Sequence, residues 1–195
     1  MPRVFLNYRR EDSAGIAGRL FDRLCFELGR ENVFRDLDTL VPGADFAKVI
    51  ADQVASCDAL IAVIGKDWLT ARDGDGHRRL DHPGDFVKTE IREALARDKL
   101  VIPALVEGAG IPKPADLPPE IAALAARNAI EISDSRFDYD TERLIRALQA
   151  HTNGAPDPRS RPAKQRRSWA WVSDPDHHRT LAFIGAGITA AAIAG

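Results

Sequence analysis

Apolar and polar positions up to about residue 151 follow two alternating periods, which predict strands and helices in turn. The run 59–64 is apolar at every position, as is typical of a strand buried on both faces of a parallel sheet. Apolar residues three and four apart predict amphipathic helices between the strands. Strands are predicted at 3–8, 32–35, 59–64, 100–105 and 129–132, and helices at 11–29, 44–56, 85–95, 119–125 and 139–151.

This alternation predicts a flavodoxin-like sheet of five parallel strands with helices on both faces. Pro103, inside the fourth predicted strand, indicates a position near a sheet edge or a strand end. In such sheets ligands bind beyond the carboxyl ends of the strands. The side chains that directly follow the predicted strands are therefore candidates for a site: Tyr8, Arg9, Arg10, Asp36, Asp38, Gly65, Lys66, Asp67, Trp68, Val106 and Glu107.

The helix predicted at 85–95 places one carboxylate at the border between core and solvent. Asp85 is its candidate N-cap, because it follows a Pro-Gly pair. Phe86 and Glu90 are four residues apart and lie one above the other on the edge of the apolar face. A ligand can stack at such a place, and a carboxylate pKa can be tuned there, although most glutamates on helix edges are solvated.

Each candidate also has a purely structural interpretation. Arg9 and Arg10 could grip phosphate groups or could be solvated. Trp68 could stack on a ligand or could plug the end of the sheet. Phe86 could belong to the core. The residue types alone do not decide between these alternatives.

Composition indicates an ordinary soluble domain rather than a nucleic-acid-binding protein. The chain has 195 residues, 45% hydrophobic and 29% charged, with a net charge of -2. Cys25 and Cys57 make no metal-binding pattern and are expected to be reduced core thiols. The strand-like start of the sequence predicts no signal peptide.

Other chemistries are excluded by the residues at the strand ends. A phospho-receiver domain of this fold needs an acidic cluster after the first strand and an Asp after the third. Here the sequence has Tyr8-Arg9-Arg10 and Gly65-Lys66 at these places.

Gly185-Ala186-Gly187 lacks the strand and helix context of a dinucleotide fingerprint. The histidines show no ligand spacing, and no Ser-His-Asp set can be assigned.

The composition changes after residue 151. Residues 152–179 form a basic linker that ends in Trp169 and Trp171, and residues 180–195 carry no charge. Basic residues, then tryptophans, then an apolar run is the order expected at the cytoplasmic mouth of a membrane span. The run is shorter than the roughly 20 residues that cross a bilayer, which suggests a truncated span. We expect a cytoplasmic domain tethered to the cell membrane, or alternatively a soluble cytoplasmic domain.

Four short motifs follow one another within about residues 1–151: Phe5–Asp12, Val33–Asp36, Leu40–Phe46 and Asp85–Ile91. In this order they resemble the motifs of a bacterial Toll/interleukin-1 receptor (TIR) domain. The resemblance implies the five-stranded fold already predicted. It also implies that Asp36 to Phe46 is similar to the family's BB loop, which mediates self-association and gates the pocket.

The resemblance implies an enzyme as well, because many bacterial members of the family cleave NAD+ with a glutamate in an Asp-(Trp/Phe)-Val-x-x-Glu-Ile motif. That position is Glu90 here, and Phe86 stands where the motif often has Trp. NAD+ would be the substrate, with no cofactor or metal. The implied contacts to the dinucleotide are Tyr8, Arg9, Arg10, Asp36, Trp68 and Phe86.

A single carboxylate suffices for this chemistry. Nicotinamide in NAD+ is a pyridinium and leaves as a neutral molecule, so it needs no strong general acid. One carboxylate near the ribose can stabilise the oxocarbenium-like transition state. The product could be linear or cyclised ADP-ribose. The alternative function is a non-enzymatic module that recruits other TIR domains, as animal receptor and adaptor members do.

Overall fold

A computed structural model describes residues 1–35, 46–152 and 154 of the chain, without the side chains of 46 and 47. Nine helices and strands are described in this part, besides short 3-10 turns. They are β1 Val4–Asn7, α1 Arg10–Leu28, β2 Val33–Arg35, α2 Phe46–Ser56, β3 Ala59–Ile64, α3 Phe86–Ala96, β4 Leu100–Val106, β5 Ile130–Ile132 and α4 Phe137–Thr152. The helix predicted at 119–125 is a 3-10 segment, Pro119–Ala126.

The sheet has five strands in the order β2-β1-β3-β4-β5, and every pairing is parallel. The predicted flavodoxin-like fold is therefore confirmed. β3 occupies the centre and all six of its residues are buried, as its uninterrupted apolar run predicts. Helices α1 and α4 lie beside each other on one face, and α2 and α3 lie beside each other on the other face.

Side chains of β1 alternate between these two helical layers. Val4 and Leu6 pack in the α1–α4 layer, and Phe5 packs in the α2–α3 layer. This alternation is the two-residue period of any strand. Asn7, two residues beyond Phe5, consequently lies on the side of α3.

Pro103 corrects the expectation of a sheet edge. β4 is an interior strand, and Pro103 lies in register with Ala62 of β3. The β5 ladder begins only at the next residue, Ala104. A proline is tolerated here because β4 has a described strand partner on only one side at this position.

The start of α1 is fastened to the end of β3 by one carboxylate. Asp12 accepts hydrogen bonds from the backbone N–H groups of Gly65 (2.9 Å) and Asp67 (2.8 Å). A Cβ at Gly65 would fall inside contact distance of the Asp12 carboxylate, so glycine is what allows this approach. The carboxyl ends of β1 and β3 are thereby held side by side.

The two thiols differ in burial. Cys57 is buried as expected, and desolvation raises its pKa to about 11. Cys25 is half-buried, and desolvation raises its pKa as well. Both thiols are free in the structure.

The C-terminal predictions mostly concern residues outside the described part of the chain. Helix α4 ends at Thr152, and the linker and the apolar run 180–195 fall beyond the residues that are described, apart from 154. Within those residues, no helix has the length and apolar character needed to cross a membrane. The tether predicted from 180–195 stays a prediction.

Replacing Gly65 by alanine should destabilise the fold. The new Cβ displaces the Asp12 carboxylate from two backbone N–H groups, which costs about 1–3 kcal/mol of unfolding free energy. Urea denaturation measures this change. Gly18→Ala is the matched control, because a Cβ there meets nothing within 4 Å in the middle of α1, and we expect a small gain in stability. Equal stability of Gly65→Ala and the native chain would contradict this role of Asp12.

Candidate active site

Glu90 is a buried carboxylate on α3, with 5% of its surface exposed. Its Oε2 accepts a hydrogen bond from Nδ2 of Asn7 at 2.7 Å. The same Nδ2 donates to the backbone carbonyl of Val87 at 3.1 Å. The last residue of β1 therefore holds both the carboxylate and the first turn of the helix that carries it.

Helix α3 begins at this place because Asp85 caps it. The Asp85 carboxylate accepts from the backbone N–H of Lys88 at 2.8 Å, so the predicted N-cap is confirmed. The Thr89 hydroxyl donates to the Asp85 carbonyl at 2.9 Å. Glu90 lies one turn further on, in a helix whose start is fixed.

Arg9 forms a buried ion pair with Asp85 across the gap between β1 and α3. Its two terminal nitrogens lie 3.0 and 3.3 Å from the carboxylate oxygens, and the side chains are 1% and 2% exposed. A forked arginine contact of this kind is directional as well as strong. The predicted phosphate contact by Arg9 is therefore corrected, because its guanidinium is already committed to Asp85.

Arg79 extends this network towards solvent. Its Nε lies 3.8 Å from the Asp85 carboxylate, and its Nη1 donates to Oε1 of Glu11 at 2.6 Å. Arg79 belongs to the long segment between β3 and α3, and Glu11 to the first turn of α1. Three chain segments thus meet around one buried carboxylate.

Trp68 does not lie on the rim where the sequence analysis placed it. It is fully buried, within the apolar cluster of the α2–α3 layer. A ring without exposed surface offers no face to a base, so the structure corrects the predicted stacking role. It supports the alternative, in which Trp68 plugs the end of the sheet.

Tyr8, Arg10 and Phe86 have different surroundings. Tyr8 is half-buried against the α1–α4 layer, on the other side of the sheet from α3. Arg10 is exposed at the first residue of α1. Phe86 is 46% exposed at the first residue of α3, one turn before Glu90. Of the predicted aromatic contacts, Phe86 is the one that presents surface on the α3 side.

Asp36 and the segment Asp36 to Phe46 were predicted to contact the dinucleotide and to mediate self-association. Asp36 to Asp45 lie outside the described residues, and so does the side chain of Phe46. Their predicted roles stay predictions.

Three buried polar atoms at this edge of the sheet have no hydrogen-bond partner within the described part of the chain. They are Oδ1 of Asn7, Nε of Arg9 and Nε1 of Trp68. Each residue ends or follows β1 or β3, which are neighbours in the sheet. Unsatisfied buried groups are rare in native proteins, and a functional role is one explanation for each of them.

Two surface depressions in the described part of the chain lie away from Glu90. One depression of about 570 Å³ lies beside the start of α4, between Arg19 and Tyr139. Another lies at the N-terminal ends of β3 and β4, around Asp58 and Lys99. Glu90 lines neither depression, so neither is the candidate site for chemistry at that carboxylate.

The loop 72–78 gathers three possible metal ligands: Asp73, Asp75 and His77. Their ligand atoms lie within 4.8 Å of one another, which the sequence analysis did not anticipate. Asp73 already accepts from the backbone N–H groups of Asp75 and His77, and the bond from His77 is the main cause of its lowered pKa. The turn accounts for this arrangement, and we assign no metal to it.

Asn7 is the residue that sequence reasoning missed. Its place in an apolar strand makes it look like a core position, and the charged residues that follow it give a stronger signal. The available signal was the two-residue period, which places Phe5, Asn7 and Arg9 on one side of β1. A single amide at the end of a buried strand, on the same side as a candidate carboxylate, marks a partner for that carboxylate.

A family model described as a TIR domain matches residues 4–147. The chain belongs to the TIR domain family. The resemblance seen in the sequence is therefore confirmed, and the match lies inside the domain predicted at 1–151.

Solved structures with a similar fold belong to several biological settings. The chain resembles a metazoan TIR-STING receptor from C. gigas, solved with 2′,3′-cGAMP, at a TM-score of 0.51 and 19% identity. That match covers 76% of this chain and 39% of the receptor chain. At this identity the likeness concerns the fold.

Two further solved structures match with lower TM-scores. The TIR domains of the activated Roq1 resistosome, which directly recognises the pathogen effector XopQ, match at a TM-score of 0.44 and 16% identity, over 80% of this chain and 84% of that one. A CMP N-glycosidase from Clostridium botulinum, BcmB, matches at 0.41 and 20%, over 74% of this chain and 98% of that one.

Breaking the Arg9–Asp85 pair from one side should destabilise the domain strongly. Asp85→Asn keeps an N-cap oxygen but leaves the Arg9 charge buried without its partner, and about 3 kcal/mol should be lost. Arg9→Met should cost a similar amount. The double variant should lose less than the sum of both, as measured by urea denaturation.

Arg146→Met is the control, because Arg146 pairs with Glu142 on the exposed face of α4 and should show no measurable change. Strictly additive losses for Arg9→Met and Asp85→Asn would show that the two side chains do not act as a pair.

Proposed function

We propose that this TIR domain cleaves the bond between nicotinamide and ribose in NAD+, with Glu90 as the catalytic carboxylate. The products are nicotinamide and ADP-ribose, or a cyclised form of it. Tyr8, Arg10, Asp36 and Phe86 are retained as contacts to the dinucleotide, and Arg9 and Trp68 are replaced in that role by structural ones. NAD+ is the substrate, and no cofactor is required.

The observation that carries the proposal is the setting of Glu90. A carboxylate with 5% exposure lies on the helix after the central strand and receives a hydrogen bond from the last residue of the neighbouring strand. Burial of a charged group is costly, and proteins retain such groups mainly where they are paired or used. The motif around Glu90 also matches the family pattern associated with NAD+ cleavage.

The reaction needs little more than such a group. The C1′–N1 bond breaks with its electron pair left on the nicotinamide nitrogen, which becomes neutral. Positive charge develops at C1′ and on the ring oxygen of the ribose, where a preorganised carboxylate stabilises it. The oxygen of water then bonds to C1′, and one proton is released.

Phe86 supplies the apolar part of the proposed site. Its ring is 46% exposed and begins the helix that bears Glu90. An exposed aromatic ring can stack on the planar nicotinamide, which is cationic in the substrate and neutral in the product. This ring is smaller than the tryptophan common at the position, and a weaker grip on substrate is the expected consequence.

Activity is proposed to depend on self-association through TIR–TIR contacts that include Asp36 to Phe46. A hydrolase that consumed NAD+ without control would harm its own cell. Dependence on self-association would keep the dispersed protein inactive. The second function, a recruiting module without catalysis, shares this self-association. It differs in having no need for a buried, positioned Glu90.

Glu90→Gln should strongly reduce nicotinamide release. The full chain, concentrated on vesicles through an N-terminal histidine tag, is incubated with NAD+, and nicotinamide is followed by chromatography. Loss of one charge-stabilising group should lower kcat by a factor of about 100 to 1,000.

Glu93→Gln is the matched control on the same helix. Arg97 and Arg92 hold the pKa of the Glu93 carboxyl below its ordinary value, and that side chain is half-buried and paired with both arginines. It should retain native activity. Absence of release by the native chain under clustering, or equal release by Glu90→Gln, would refute the enzymatic proposal and favour the recruiting module.

Phe86→Ala should raise the KM for NAD+ about tenfold, because stacking of a base on an aromatic ring contributes about 1–3 kcal/mol. Phe86→Trp should lower the KM. Phe26→Ala removes an even more exposed ring, 82% accessible on α1, and should change nothing. Steady-state kinetics on vesicles measure these values, and an unchanged KM in Phe86→Ala would exclude the proposed stacking.

A further inference from the structure

We infer that Asn7 is a positioning residue that aims the Glu90 carboxylate, an inference that rests on the proposed function. Asn7 is 1% exposed and closes a strand whose other residues are apolar. Its Nδ2 is the donor to both Oε2 of Glu90 and the carbonyl of Val87. One amide therefore fixes the side chain and the helical turn that carries it.

The orientation of this amide is determined by its two acceptors. If the amide were reversed, Oδ1 of Asn7 would face a carboxylate oxygen and a carbonyl oxygen, and both contacts would be repulsive. The observed orientation instead leaves Oδ1 buried with no partner in the described residues. The free-energy cost of the unsatisfied Oδ1 accompanies the orientation that directs Nδ2 at Glu90 and Val87.

An apolar side chain would suit this position better on packing grounds alone. Val4, Phe5 and Leu6 precede Asn7 in β1, and all are buried. A buried amide with an unsatisfied oxygen is worse for stability than an apolar group of the same shape. The benefit of the amide is the fixed carboxylate, which catalysis at the ribose requires and a recruiting module does not.

Asn7→Leu and Asn7→Asp test this role, because both approximate the shape of asparagine and remove its N–H donors. The full chain, clustered on vesicles, should lose about ten- to a hundredfold in kcat for nicotinamide release, the range expected for a hydrogen bond to a charged group. The KM for NAD+ should stay within about twofold, since a positioning residue acts on the transition state rather than on binding.

Asn32→Leu is a matched control. Asn32 also donates through Nδ2 to a backbone carbonyl, that of Leu28 at 2.6 Å, and to a glutamate, Glu31 at 3.2 Å. It lies after the C-terminal end of α1, before β2. Native kinetics in Asn32→Leu separate a local effect at Glu90 from a general effect of losing a bonded amide.

A second measurement does not depend on activity. In ¹⁵N-labelled full chain, the side-chain amide signal of Asn7 is identified by its loss in Asn7→Asp. In Glu90→Gln the amide proton signal should move upfield, because the charged acceptor is gone, whereas Glu93→Gln should leave it in place.

The outcomes separate the two proposals. A native chain without NAD+ cleavage refutes the proposed function, while the amide signal still tests the contact. A kcat in folded Asn7→Leu within twofold of the native value overturns the positioning role. An Asn7 amide proton signal that does not move in Glu90→Gln also overturns the positioning role. This measurement applies even when the Asn7 variants fail to fold.

Discussion

The buried polar link between the end of β1 and the start of α3 is the contact on which this edge of the molecule depends. Arg9 pairs with Asp85 at 3.0 Å, and Asn7 donates to Glu90 at 2.7 Å. Both links cross from one strand to one helix that are about 80 residues apart in sequence, as their separations of 76 and 83 residues show. Because both links are buried, losing either partner leaves a buried polar group without compensation.

The two links have different consequences. The ion pair fixes where α3 begins, since Asp85 is at once the partner of Arg9 and the N-cap of the helix. The hydrogen bond from the Asn7 amide fixes the side chain of Glu90, one turn further along α3. Rigid support of this kind is what a catalytic carboxylate needs in order to meet developing charge without reorganising. A TIR domain that only recruits partners has no comparable need for it.

Much of the fold could be predicted from the sequence because its signals are local. The apolar run of β3, the N-cap at Asp85 and the glycine that ends α1 each specify structure within a few residues. The parallel sheet follows from the alternation of these elements. Glu90 was identified because its motif and its place after the central strand both point to the same edge.

What the sequence could not supply is the partner of each charged residue. Arg9 and Arg10 are chemically alike and adjacent, yet Arg9 is buried against Asp85 and Arg10 is exposed. The choice depends on which face of the chain turns towards α3, a long-range fact. Trp68 was misplaced for a similar reason, because residues just after a strand can fold back over the sheet end as well as line its rim. For Asn7, the one local signal is the alternation of faces along β1.

In the proposed reaction the Glu90 carboxylate contacts the ribose of bound NAD+. A crystal structure of the full chain with carba-NAD+, whose altered ribose cannot be cleaved, tests this most directly. We expect a Glu90 oxygen about 2.6–3.2 Å from a ribose hydroxyl, with Asn7 still hydrogen-bonded to the same carboxylate and Phe86 against the nicotinamide. An analogue bound with its ribose away from Glu90, for example in the depression beside Arg19 and Tyr139, would contradict it.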